Sequence, residues 1–317
     1  MRETLRIVQN VDPLSSVLSL IKIQNAWSGK FRWGQNWCLR FGAHAGIHSY
    51  AVLQGECWLA VEGVKGPVYG KAGDSLLLTS GLPFRVGSDL TLPALDVAAI
   101  LSGDADASVL ESYAGDEFVG IGGKFTLDQE SASLLTGVLP PILHIRDEKD
   151  KMLLRWTLER LADELEEAYL GGDLVVQQLS TMLLVQALRV HLAAGAGAGA
   201  SPSWLYALAD RRMRAAIAAM HHNPGQRWTL ELLARTVGMS RTSFTIRFKQ
   251  LVGKAPLDYL THWRMLVAVD KLKNSEDSLS AIARSIGYES QSSFSTAFRR
   301  TMKVSPRQYA NKYMVAV

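Results

Sequence analysis

The chain has 317 residues, 48% of them hydrophobic and 20% charged, a length and balance that fit two ordinary globular domains. Its two cysteines, Cys38 and Cys57, form no CxxC pair and stand in no Cys/His cluster, so neither a disulfide framework nor a cysteine metal site is expected. The net charge of +4 hides an asymmetry: from Leu205 onward there are 18 Lys and Arg against 7 Asp and Glu, whereas the rest has 16 against 23. A basic block joined to an acidic one points to a polyanion as the partner of the C-terminal third.

In chain order, residues 1–28 read as a short leading segment. Met1–Asn10 carries charges and no long apolar run, so it does not read as a signal peptide. After Asp12-Pro13, Leu14, Val17, Leu18 and Ile21 have helical spacing. From Phe31 to about Ser102, short apolar runs such as Tyr50–Leu53, Cys57–Val61 and Ser75–Leu78 are punctuated by glycines, which predicts a β-sandwich or barrel. From about Asp128 the texture is helical. Leu154, Leu158, Leu161 and Leu165 mark one helix, and a second, about 174–193, is apolar around much of its girth. Gln177, Gln178, Gln186, Arg189 and His191 interrupt it, and nowhere are there the ~18 continuous apolar residues that a membrane span needs. Cytoplasm is the expected compartment, without a membrane partner.

Ala193–Ser203, rich in Gly, Ala and Ser, reads as a flexible linker. The expected division is therefore a domain at 1–194, a linker at 195–204 and a second domain at 205–317.

Past the linker the sequence repeats itself. Leu233-Ala234-Arg235-Thr236-Val237-Gly238, Phe244, Phe248, Pro256 and Tyr259 return as Ile282-Ala283-Arg284-Ser285-Ile286-Gly287, Phe294, Phe298, Pro306 and Tyr309, the last four offset by 50 residues. Each copy reads as helix, tight turn, helix. Gly238 and Gly287 suit a left-handed helix end. Ser240 and Ser290 suit the next N-cap, and the Phe pairs fall at i, i+4 on one buried face. That is the helix-turn-helix layout, in which the second helix enters the major groove. Leu257–Lys273 would join the copies as one helix of about 25 Å. One protomer could then address two successive grooves of double-stranded DNA, ~34 Å apart.

This block strongly resembles the AraC/XylS family of bacterial transcription regulators. The resemblance rests on Ile282-Ala283, Gly287-Tyr288, Ser290, Ser293-Phe294, Phe298-Arg299 and Ser305-Pro306…Tyr309, on the first copy, and on Trp263-Arg264-Met265 with Ala268 and Leu272. Two departures stand out: Met302-Lys303 replaces the family's Phe-Gly, and Ala310 replaces an Arg. The N-terminal part is similar to the cupin-type effector domain of some members, through His48, Tyr50, Val52-Leu53, Gly55, Cys57-Trp58-Leu59 and Gly73-Asp74. The resemblance implies an α+β two-domain protein: a cupin-like β-barrel or sandwich with flanking helices, then an all-α double helix-turn-helix. It also implies a small-molecule effector and a homodimer through the N-terminal domain, and it leaves RNA polymerase open as a further partner.

Helical geometry and family position together assign base contacts to Arg241, Thr242, Thr245 and Ile246 in the first recognition helix, and to Gln291, Ser292, Ser295 and Thr296 in the second. Glutamine pairs bidentately with adenine, and Thr or Ile methyls suit thymine. Ser240, Arg247, Lys249, Ser290, Arg299, Arg300 and Lys303 are assigned to phosphates. Trp33, Trp37, His48, Tyr50 and Trp58 are the candidate effector-pocket residues.

The alternative from another class is a metal-dependent cupin enzyme fused to a DNA reader, and a third is an architectural DNA protein without a ligand. A cupin metal site needs two or three His and a carboxylate. His44 and His48 are not an alternating pair, no Glu follows at the short offset, and Phe84 stands where the second half-motif would carry His. No metal, cofactor or catalytic residue is therefore expected.

Overall fold

The computed structural model describes residues 12–21, 24–104, 107–127, 135–167, 169–194 and 202–314. They divide into two compact units, one spanning Lys22–Ala194 and one combining Met1–Ile21 with Gly195–Val317. Most of the expected linker, 195–201, lies outside the described residues.

The first helix, α1 (Pro13–Ile21), groups with the C-terminal unit. Its buried stripe of Leu14, Val17 and Ile21 packs on α7 and α10 of the C-terminal unit, both defined below. By these contacts α1 lies with the C-terminal unit, although it falls inside the segment read as 1–194. The apolar spacing said that this helix packs; it did not say against what.

The N-terminal unit holds β1 (Gln24–Trp33), β2 (Cys38–Phe41), β3 (Ile47–Gln54), β4 (Glu56–Val61), β5 (Val68–Lys71), β6 (Ser75–Leu78), β7 (Phe84–Gly87) and β8 (Leu95–Asp96). Then come α2 (Val97–Ser102), α3 (Ala107–Ser112), β9 (Phe118–Thr126), β10 (Ile142–Ile145), α4 (Glu148–Glu166) and α5 (Gly172–Ala194). The strands form two five-stranded sheets, β1-β9-β3-β6-β10 and β5-β4-β7-β2-β8. All pairings are antiparallel except β2 with β8. Two-residue alternation sends Cys57, Leu59 and Val61 inward and leaves Glu56 and Trp58 outside. The aromatic side chains Phe31, Trp33, Phe41, Tyr50, Phe84 and Phe118 project into the space between the sheets. Gly120 on β9 admits Phe31, since a Cβ there would come within 2.9 Å of that ring.

The outer face of the first sheet carries α4 and α5. Leu154, Leu158 and Leu161 of α4 and Leu184, Ala187 and Leu188 of α5 are buried. A buried charge cluster fastens α4. Lys151 Nζ lies 2.8 Å from one oxygen of Asp74 and His144 Nε2 lies 2.8 Å from the other. The expected helix at 174–193 is not buried all round: Leu174, Val175 and Met182 are exposed, as are Met152, Leu153 and Trp156 on α4.

The C-terminal unit continues with α6 (Trp204–Ala207), α7 (Arg211–His222), α8 (Leu230–Thr236), α9 (Arg241–Val252), α10 (Pro256–Asn274), α11 (Leu279–Ser285), α12 (Gln291–Met302) and α13 (Pro306–Met314). Ser203 caps α6 and is buried, as is Trp204, so the expected linker end at 204 runs into folded structure. The repeat is reproduced in three dimensions. Phe248 meets Tyr259 at 5.7 Å and 69°, and Phe298 meets Tyr309 at 5.8 Å and 74°. Among the described residues, no helix is long and apolar enough to cross a membrane.

Candidate nucleic-acid interface and ligand cavity

Each recognition helix is set by the same local chemistry. Gly238 and Gly287 take φ of +64° and +88°, and the amides of Met239 and Tyr288 close the turns onto Ala234 and Ala283 at 2.9 Å. Ser240 accepts from the Ser243 amide at 3.2 Å and Ser290 from the Ser293 amide at 3.1 Å, starting α9 and α12. With Phe244, Phe248, Phe294 and Phe298 buried, the opposite faces are left to solvent. Arg241, Thr242, Ile246, Gln291, Ser292 and Thr296 are exposed there, with Thr245 and Ser295 half-buried beside them.

Several of these groups already have partners. Gln291 Oε1 accepts from Ser280 Oγ at 2.9 Å, which orients its amide. Thr245 and Thr296 hydroxyls donate back to the carbonyls of Arg241 and Ser292. Arg241 pairs with Glu231 at 2.9 Å. Arg247 donates through Nε and Nη2 to Asp210 Oδ2 at 3.2 and 2.9 Å. It therefore braces α9 against the cap of α7, a tie that sequence spacing did not disclose. Lys249, Arg299 and Arg300 form no ion pair with another described residue. Lys303 resolves the Met302-Lys303 departure. It takes the left-handed C-cap of α12 at φ +67°, the role that Gly253 fills for α9 at +81°. The turn survives without glycine, at a cost of roughly 1–2 kcal/mol.

Between the two sheets lies an apolar cavity of about 500 Å³, lined by Phe31, Trp33, Leu39, Phe41, Val86 and Ile100 together with Tyr50. Helix α2 forms one wall, capped by Asp96, which is itself paired with Arg40 at 2.7 Å. Of the five expected pocket residues, Trp33 and Tyr50 line this cavity. Trp37 is buried behind it, stacked on Trp33 at 6.0 Å. His48 lies beyond Phe41, its ring 6.0 Å away, with Nδ1 3.3 Å from Tyr50 Oη. Trp58 does not belong: it is 40% exposed on the outer face against Tyr69. Alternation in β4 places it outside, a signal the residue-type argument overlooked. Phe31, Phe41 and Ile100 were missed, because only the pairing of distant strands brings them together.

His44 and His48 do meet, with ring centroids 4.1 Å apart, but Phe84 faces both at 5.7 and 5.6 Å. Burial, the neighbouring His44 and the charge of Lys124 push His48 down to about 3. Burial and Lys124 likewise lower His44. Two imidazoles beside an ammonium, with no carboxylate, do not fit a cupin metal centre. Among the described residues, no group of three His, Cys, Asp or Glu could hold an ion.

Comparison with known proteins agrees with both halves. A cupin family matches residues 12–193, and a helix-turn-helix domain family matches residues 233–312. A putative AraC-like transcription regulator of Streptomyces lividans is 34% identical over 94% of this chain and 98% of its own length. One of Streptomyces antibioticus is 33% identical over the same shares. Among solved structures, the DNA-binding domain of AdpA in complex with a target DNA is 31% identical over 37% of this chain and 96% of that one, with a TM-score of 0.31. The relatives are transcription regulators and not catalytic cupins, and the C-terminal unit is a DNA reader with two helix-turn-helix units. The chain belongs to the AraC/XylS family of transcription regulators and carries a cupin-like N-terminal domain.

Proposed function

We propose that this regulator is governed by a small, largely apolar effector held between the two sheets of its N-terminal domain. The apolar cavity carries this reading. Its volume lies in the range of small-molecule sites, and Phe31, Trp33, Leu39 and Ile100 supply surface that a hydrocarbon or aromatic ligand would remove from water. Tyr50 and Lys30 bring polar atoms to its wall, and Lys30 is paired with Glu166. Burial raises the Tyr50 hydroxyl well above the usual phenol value, so it stays a neutral donor or acceptor. The exposed Met152, Leu153 and Trp156 of α4, with Leu174 and Met182 of α5, support a homodimer through this domain. RNA polymerase would be the partner of the DNA-bound form, and the cytoplasm its compartment.

The test is selection of bound DNA from a random pool by the full chain, with and without candidate apolar metabolites. Ile100→Trp fills the cavity from α2. It should weaken binding of the apolar dye anilinonaphthalene sulfonate about tenfold or more, and it should abolish any ligand-dependent change in the selected site while DNA affinity persists. Unchanged dye binding by a folded Ile100→Trp variant would move the effector site elsewhere.

On the DNA side, we assign base contacts to Arg241, Thr242, Thr245, Ile246, Gln291, Ser292, Ser295 and Thr296. Phosphate contacts go to Ser240, Lys249, Ser290, Arg299, Arg300 and Lys303, with Arg247 kept for its brace to Asp210. Gln291→Ala should relax preference at one base position by roughly 1–3 kcal/mol. Arg299→Ala should weaken every sequence alike and reduce the salt slope by about 1. A uniform loss over all sites for Gln291→Ala would remove that residue from the base-reading set.

A further inference from the structure

Helix α10 joins the two helix-turn-helix units, and one of its residues touches both. Arg264 is half-buried. Its Nε donates to the Pro224 carbonyl at 2.7 Å and its Nη2 to the Gln226 carbonyl at 2.8 Å. These carbonyls belong to the connection 223–229, which leads into the first unit. The guanidinium carbon of Arg264 also lies 5.9 Å from the centre of the Tyr288 ring, in the turn of the second unit.

The backbones beneath are in direct contact. A Cβ on Gly225 would lie 2.7 Å from the Ser285 carbonyl oxygen. One on Gly287 would lie 2.7 Å from Arg264 Nη2 and 2.8 Å from the Gly225 carbonyl oxygen. The equivalent Gly238 of the first unit has nothing within 4 Å of its Cβ position, so the first turn is open where the second is clasped. An exposed ion pair, Arg227 with Glu289, bridges the same two segments.

We propose that Arg264 is a positioning residue that clasps the entry loop of the first unit to the turn of the second, and so sets the spacing of the two-part DNA site that one protomer accepts. The inference rests on the DNA-reading function of this unit. A connecting helix alone fixes a length, and each unit can still rock about its own end of it. A second tie away from the helix axis removes that freedom. Arginine suits the task because its planar fork spans two carbonyls at once while its face lies toward an aromatic ring; lysine offers one point charge. With the clasp closed, both recognition helices must be satisfied at one separation. Inserting one base pair between the half-sites shifts the second by about 3.4 Å and turns it by roughly 35°, which a rigid pair cannot follow.

The experiment uses the full chain and the site it selects from a random pool. For each protein, the dissociation constant for that site is compared with the constant for the same site carrying one extra base pair between its two blocks. Wild type should lose about 100-fold on insertion, the size of a few lost base contacts. Arg264→Met should lose about tenfold or less, with Arg264→Lys between them. This ratio separates positioning from stability, because a variant that is merely less folded binds both DNAs proportionally less. Gly225→Ala, which wedges the loop from the turn, should lower the penalty too and serves if Arg264→Met does not fold. An unchanged insertion penalty in folded variants overturns the proposal, as does a selected site with a single block. Failure to select any DNA would instead count against the DNA-reading function.

Discussion

Replacing Phe298 with alanine is expected to destabilise the C-terminal unit by about 3–5 kcal/mol and to remove the second half of its DNA read. Phe298 is fully buried, edge-on to Phe294 at 5.6 Å and to Tyr309 at 5.8 Å. Met265, Val269, Ile282 and Ile286 close the same cluster. Truncation leaves a hole bounded by three helices and a turn, which the neighbouring Met265 and Met302 can fill only in part. A loss of that size approaches the whole stability of many small domains, about 5–15 kcal/mol. Denaturant unfolding followed by tryptophan fluorescence and circular dichroism would measure it. Because the N-terminal unit has a core of its own, its transition should stay in place while the C-terminal one moves. Phe298→Leu, closer in volume, should retain most of the stability. A loss below about 1 kcal/mol for Phe298→Ala would mean that the Phe stripe does not anchor the recognition helix.

That stripe was legible because everything defining it is local. Two phenylalanines at i, i+4, a glycine before them and a Ser-Pro after them suffice to specify helix, turn and helix. Their recurrence at an offset of 50 excluded coincidence. The strands were legible in the same way, through alternation and glycine punctuation. What could not be read was what packs against what. The stripe of Leu14, Val17 and Ile21 announces a buried face, yet its partners lie in Arg211–His222 (α7) and Pro256–Asn274 (α10), at the far end of the chain. The cavity is lined by Phe31, Leu39, Val86 and Ile100, drawn from strands β1, β2 and β7 and from helix α2, which only the sheet topology brings together. Arg264 stood within a family motif, but the two carbonyls it holds are 38 and 40 residues away. Trp58 is a different case: the alternation Cys57, Leu59, Val61 already placed it outside.

Asp74 entered the sequence reading only through the Gly73-Asp74 pair of the cupin-type resemblance, and it should carry the other large effect. Its side chain is 3% exposed and that of Lys151 8%. Together with His144 they tie the start of β6, strand β10 and helix α4 into one knot. Asp74→Asn leaves the Lys151 ammonium buried, with only the exposed Glu148, 3.1 Å away, to balance it. Removing one partner of a buried pair costs about 3–5 kcal/mol; Glu148 should hold the loss to the lower end. Melting of the N-terminal unit should then fall by roughly 6–12 °C. Adding Lys151→Met to Asp74→Asn should restore part of that loss, because the stranded charge is gone. Acid provides an independent check. Burial alone would raise the Asp74 carboxyl, but Lys151, His144 and the Lys71 amide together hold it below the usual carboxylate value. A carboxyl depressed on folding adds stability that is complete above its unfolded value, ~3.9, and disappears as pH falls through its folded one. The stability gap between wild type and Asp74→Asn should therefore be constant at neutral pH and close below about pH 4. A gap that persists undiminished into acid would show that packing of the Asp74 side chain, and not its charge, holds α4 to the barrel.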